Sequence, residues 1–216
     1  MSAHRSGLAC FVGRPNAGKS TLTNAIVGTK VAITSSRPQT TRHVIRGIVT
    51  RPDAQLVILD TPGLHKPKTL LGERLNDLVR DAWSTVDVAA LCLAADSPVG
   101  PGDAFIAGQL ARARKGPTFA VITKTDLVPP AQVAERLIEA QELGVKAGLD
   151  WAEIVPVSAV DGDNVDLLTR LLIDTLPEGP ALYPDGEVTD EPEETLVAEL
   201  IREAALEGVT DEVPHS

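Results

Sequence analysis

The residues with the plainest chemistry in this chain are Gly13-Arg14-Pro15-Asn16-Ala17-Gly18-Lys19-Ser20, a G-x-x-x-x-G-K-S pattern. Glycines at its two ends let the backbone turn tightly enough for successive N–H groups to converge on phosphate oxygens. Lys19 is spaced to reach the β and γ phosphates of a nucleotide, and the Ser20 hydroxyl to ligate Mg²⁺. The pattern holds this meaning only between a strand and a helix. Leu8 to Val12 is an apolar run of strand character and Thr21 to Val27 reads as a helix, whose positive end and first residue, Thr21, extend the phosphate surface.

Three other stretches fit the same chemistry. Asp60-Thr61-Pro62-Gly63-Leu64 follows an apolar run. Asp60 suits a Mg²⁺ ligand acting through water, and Gly63 offers a backbone N–H to the γ-phosphate, with Thr61, Pro62 and Leu64 beside it. Residues 30–41 form a long polar loop in which Thr40 and Thr41 carry hydroxyls; Thr41 is the expected ligand for Mg²⁺ and γ-phosphate, released on hydrolysis. In Thr123-Lys124-Thr125-Asp126, the Asp126 carboxylate can accept hydrogen bonds from N1–H and the N2 amino group of guanine, which adenine lacks. The Lys124 stem can lie along the base, and Ser158-Ala159 can present a backbone N–H to guanine O6. Leu64 can neither donate nor accept a side-chain hydrogen bond to orient an attacking water beside Gly63, so slow unaided hydrolysis is expected. His65, alone in a Gly-Leu-His-Lys-Pro segment, reads as solvated rather than as a general base.

The elements that must position these groups alternate. Strands are expected at 8–12, 44–50, 55–60, 87–95, 118–123 and 154–157, and helices at 21–27, 70–83, 103–114, 131–146 and 165–176. Continuous apolar strands between helices imply an α/β, three-layer phosphate-loop domain: a six-stranded, mostly parallel sheet with one antiparallel edge strand and helices on both faces. Ligands then bind outside the carboxyl ends of the strands, where every motif above falls. Residues 1–178 are expected as this domain, 179–188 as a linker, and 189–216 as a helix and tail, with Asp190 and Gly208 as caps for an amphipathic stretch at 192–206.

The chain has 216 residues, 43% of them hydrophobic, enough for one well-buried α/β domain with a small addition. No apolar run approaches the roughly 20 residues of a membrane span, and the first residues lack a signal peptide's apolar segment, so a cytoplasmic protein is expected. Cys10 and Cys92 sit in apolar runs and read as buried thiols. The net charge of −10 is unevenly placed. Residues 1–184 hold 19 basic and 19 acidic side chains; residues 185–216 hold 1 and 11. Between Lys30 and Arg51 there are five basic residues and no acidic one, a candidate positive face.

Taken together, Gly13 to Ser20, Gln39-Thr40-Thr41-Arg42-His43, Asp60 to Leu64 with His65, Thr123 to Asp126 and Ser158-Ala159 resemble the translation-factor-related GTPases and, among them, the Era-type bacterial ribosome-assembly GTPases. The resemblance implies a monomeric GTP/GDP switch acting on small-subunit ribosomal RNA and the 30S subunit, with peripheral association at the inner face of the membrane. It also implies that residues 189–216 begin a KH RNA-binding domain, and that Asn16 ligates K⁺. The sequence departs from the pattern twice. Thr123 stands where the family has an asparagine that ties the base site to the phosphate loop, which predicts looser guanine binding with Asp126 retained. The Gly-x-x-Gly loop with which KH domains grip RNA is absent, since no two of the 17 glycines are three apart. Two other readings stay open: a nucleotide-gated ribosome or RNA docking module with incidental hydrolysis, and an ATP-using phosphate-loop enzyme.

Overall fold

In the computed structural model, which describes residues 4–34, 45–61, 83, 85–113 and 116–208, the apolar runs assemble into one sheet. Its strands are β1 (Arg5–Gly13), β2 (Ile45–Arg51), β3 (Ala54–Asp60), β4 (Val88–Ala94), β5 (Thr118–Thr123) and β6 (Ile154–Pro156), in the spatial order β2-β3-β1-β4-β5-β6. All neighbours run parallel except β2, which turns back through Pro52 and Asp53 to pair antiparallel with β3 at the edge. Every residue of β3, β4 and β5 is buried, as expected of strands covered on both faces.

Among the described residues five α-helices cover the sheet or follow it: α1 (Lys19–Val27), α2 (Pro101–Ala113), α3 (Pro130–Ala147), α4 (Val165–Asp174) and α5 (Glu193–Gly208). Alternation along the strands decides the layers. Phe11, Ile58 and Val121 meet Leu22 and Ile26 of α1 and Leu168 and Leu172 of α4. Val12, Leu91 and Ile122 meet Ile106 and Leu110 of α2 and Leu143 of α3. Cys10 and Cys92 belong to opposite faces and neither forms a disulfide. The helix expected at 70–83 lies outside the described residues except for Trp83, which is buried on the α2–α3 face. Helices α2 and α3 start earlier than periodicity suggests because Pro101 and Pro130 occupy their first positions, where a missing N–H costs nothing.

Residues 177–190 run along the sheet. Ser6 donates its N–H to the Pro177 carbonyl (3.1 Å) and Gly179 donates to His4 (3.0 Å). The buried Gln55 side chain accepts from the N–H groups of Leu182 and Tyr183, and Ile48 donates to Val188 (2.9 Å) on the outer edge of β2. Asp190 does not cap α5. Its carboxylate accepts from Arg46 at 2.7 Å and from the Tyr183 hydroxyl at 3.0 Å, and the first helical bond runs instead from Leu196 to the Pro192 carbonyl. A cationic partner on β2 outweighs a local turn because the bond to it is charge-assisted at both ends. Gly208, expected just past the helix, is its last residue.

Candidate functional site

The chain leaves β1 for β2 and β3 on one side and returns to β4 on the other, so the carboxyl end of β1 is the point where the strand order reverses. The phosphate loop lies there. Gly13 ends β1 and Lys19 begins α1, with Gly18 at the N-cap in the left-handed region (φ 80°), a conformation that favours glycine. Gly18 brings no capping side chain, which leaves the first-turn N–H groups of α1 to an incoming anion. Asn16, exposed, also has positive φ (62°), which an amide side chain tolerates better than most. Ala17 is buried, and Arg14, Pro15 and Thr21 are half-buried.

Lys19 is buried, its ammonium donating to the carbonyls of Arg14 (3.0 Å) and Gly13 (3.4 Å). Burial pushes its pKa down, and the nearby Asp60 pulls in the opposite direction. A nucleotide's phosphates would supply the missing counter-charge. Beneath the loop, burial pushes the Cys92 thiol up to about 12, which keeps it protonated and unreactive.

The structure brings the Asp60 carboxylate toward this lysine. Asp60 ends β3, paired in register with Phe11 of β1, and its Oδ2 accepts from the Ser20 hydroxyl at 2.7 Å. Thr61, also buried, donates its hydroxyl to the Phe11 carbonyl (2.8 Å), which pins the chain as it leaves β3. A hydroxyl and a buried carboxylate in contact are a hard-oxygen donor pair that fits Mg²⁺. Thr40, Thr41, Pro62, Gly63, Leu64 and His65 lie outside the described residues.

Two strand ends further along the same edge lies Asp126, the candidate for reading the base. Asp126 is exposed on a short 3₁₀ turn, Thr125–Leu127, after β5. Its Oδ1 accepts from the buried Ser158 hydroxyl (2.8 Å), which itself accepts the Asp161 N–H (3.0 Å). The loop after β6 therefore aims the carboxylate. Ser158 donates its own N–H to the Asp163 carbonyl (3.1 Å). Lys124, at φ 59°, is held by Asp96 after β4 (2.9 Å).

Thr123 is buried, and its hydroxyl donates to the Ala17 carbonyl in the phosphate loop at 2.8 Å. A threonine thus links the end of β5 to the phosphate loop. The contacts of Ser158 with Asp126, Lys124 with Asp96 and Arg14 with Asp103 were not foreseen. Each joins residues 28 or more apart in sequence, and no local pattern marks them.

Residues 8–124 match the family of 50S ribosome-binding GTPases. Over 215 residues the chain is 67% identical to the GTPase Era of Streptomyces coelicolor, covering 100% of this chain and 68% of that protein. It is 62% identical over 217 residues to the GTPase Era of Mycolicibacterium smegmatis (100% and 71%). The chain belongs to the Era family of GTPases. Among solved structures, Era in complex with MgGDPNP and nucleotides 1506–1542 of 16S ribosomal RNA superposes with a TM-score of 0.89 at 36% identity, covering 97% of this chain and 70% of that one. A point variant of Aquifex aeolicus Era bound to GDP·AlF₄⁻ gives 0.87 at 35% identity, covering 97% and 69%. As an Era-family GTPase, the chain binds GTP and hydrolyses it to GDP and phosphate. Its fold is that of the Era GTPase domain, with β2 as the one antiparallel strand.

Proposed function

We propose that the chain is a GTP-driven switch in small-ribosomal-subunit assembly, its nucleotide read at both ends by a single sheet edge. The observation that carries this reading is the Thr123–Ala17 hydrogen bond, which joins the strand end bearing Asp126 to the loop that opens at Lys19 and Ser20. In this reading the backbone N–H groups between Gly13 and Thr21, Pro15 having none, cradle the phosphates and Lys19 bears on the β and γ oxygens. Ser20, Asp60 and Thr41 hold Mg²⁺, which when bound neutralises charge developing on those oxygens. The Gly63 N–H contacts the γ-phosphate beside Thr61, Pro62 and Leu64. Lys124, Asp126 and Ala159 read guanine, with Ser158 orienting Asp126. Replacing Asp126 by asparagine puts an NH₂ group or a neutral oxygen against two guanine donors. Affinity for GDP should fall about a hundredfold or more in isothermal titration, and unchanged affinity would refute the assignment.

Asn16, exposed and in a left-handed conformation at the loop's tip, is the proposed K⁺ ligand. Turnover faster in K⁺ than in Na⁺, a difference lost in Asn16→Ala, is expected; equal turnover in both salts would remove the ion from the account. The ribosomal half of the proposal is supported by the RNA-bound Era structure that the chain matches over 97% of its length. Residues 189–216 are proposed as the start of an RNA-binding KH domain after a GTPase domain at 1–178. A pull-down of 30S subunits should differ between GDP and a non-hydrolysable GTP analogue. The docking-module reading gains if affinity depends on the analogue while hydrolysis leaves assembly unaffected. No helix among the described residues is long and apolar enough to cross a membrane. Peripheral membrane association and a monomeric state belong to the same proposal and are checked by co-sedimentation with anionic vesicles and by light scattering.

A further inference from the structure

The phosphate-loop pattern leaves its second position open, so nothing in phosphate chemistry asks for an arginine at 14. Yet Arg14 is held by contacts well beyond the loop. Its Nε donates to Asp103 Oδ1 at 2.9 Å and its Nη2 to the Ser97 hydroxyl at 3.1 Å. Asp103 sits in the first turn of α2 with its side chain 1% exposed, and its other oxygen accepts the Gly100 N–H at 2.9 Å. The carboxylate therefore closes the start of α2 and clamps the loop with the same group. Gly102 is shaped to the arginine stem: a Cβ there would come within 2.9 Å of Arg14 Cδ. At its other end, the Arg14 carbonyl accepts the Lys19 ammonium (3.0 Å) and the Ala17 N–H (3.3 Å).

We propose that Asp103 is a positioning residue for the phosphate site: it fixes Arg14, and through the Arg14 carbonyl it sets where the Lys19 ammonium rests and how far the loop can open. This rests on the phosphate-site reading given above. The clamp joins the loop to α2, an element outside the nucleotide motifs, and its loss should release nucleotide faster.

Removing Arg14 leaves the buried Asp103 carboxylate unpaired and destabilises the fold, so the test must separate stability from positioning. Asp103→Asn keeps an acceptor for Gly100 and loses the charge; Arg14→Met keeps a stem of similar reach. Combined, they leave no charge unpaired, and the melting temperature lost in either single variant should largely return in the double variant. Release of a fluorescent GDP analogue is then timed in stopped flow. Dissociation from the double variant should be at least about fivefold faster than from the parent, a coupling of the size contacting residues show. Gly102→Ala, which retains both charges but displaces the stem, should speed release in the same direction. A double variant releasing GDP less than fivefold faster than the parent would overturn the proposal and leave the pair a purely structural contact. Failure of the underlying phosphate-site reading would look different, since Lys19→Met would then leave GDP binding intact.

Discussion

At the scale of single residues, the site depends on hydroxyls that carry loads usually given to longer side chains. The Thr123 hydroxyl bridges to Ala17 inside the buried sheet edge, and removing it strands a carbonyl away from water. Thr123→Val should therefore weaken GDP binding by the ~1–3 kcal/mol of an unsatisfied buried group, about five- to a hundredfold in Kd by titration. Thr123→Asn, with two donors of longer reach, should remain within a few-fold of the parent. If Thr123→Val binds GDP as tightly as the parent, the hydroxyl is incidental. Lys19 behaves in the opposite way, since its charge is disfavoured by burial until phosphate arrives. Lys19→Met should leave the nucleotide-free melting temperature no lower while abolishing measurable GTP turnover. A markedly less stable variant would mean that the ammonium holds the loop together unaided.

At the scale of elements, the tail segment grips the main domain on both sides of residues 35–44. Ahead of them, Thr34 gives its N–H and hydroxyl to Glu203 of α5, each at 2.8 Å, and Lys30 forms an ion pair with the same carboxylate. After them, β2 meets Val188 and Asp190. Burial favours the neutral form of Glu203, but the bonds from Lys30 and Thr34 outweigh it and hold the carboxyl below the usual range. A carboxyl whose pKa is lowered by folding stabilises fully above its ordinary value of 4.5, and that contribution is lost as pH falls below it. Protection of the α5 amides, taken relative to their intrinsic exchange rates, should fall on acidification through that window, and Glu203→Gln should be less protected already at neutral pH and respond less to acid. Equal protection in parent and variant at pH 7 would show that α5 is not held by this contact. The periodicity of 192–206 was enough to foresee this helix, since its apolar stripe is local. Its partner was not legible, because Thr34 and Glu203 are 169 residues apart and neither stands in a pattern. The Asp190 cap failed for the same reason: a local rule cannot weigh Arg46 on a distant strand.

At the scale of the whole molecule, the charge asymmetry acquires a structural meaning. Of the basic run between Lys30 and Arg51, the described members Lys30, Arg46 and Arg51 pair with Glu203, Asp190 and Asp166. Two of those acids come from the acidic segment, so part of the positive face inferred from sequence is neutralised within the chain. The Arg46 and Arg51 pairs are largely exposed, each worth about 0–1 kcal/mol, and 0.5 M salt should change the melting temperature only slightly. The parallel sheet was legible because Leu56 to Leu59, Val88 to Leu93 and Phe119 to Ile122 read as buried strands by composition alone. The site was legible wherever its chemistry is packed into a few consecutive residues, as from Gly13 to Ser20. It was illegible where one strand end reaches another, as from Thr123 to Ala17 or Ser158 to Asp126. The central claim is that this single edge reads phosphate and guanine together, and competition titration addresses it directly. Protein loaded with a fluorescent GDP analogue should be displaced by unlabelled GTP near stoichiometric amounts and not by about a thousandfold excess of ATP, because adenine leaves the Asp126 carboxylate facing no donor pair. Displacement by ATP at concentrations comparable to GTP would contradict the account.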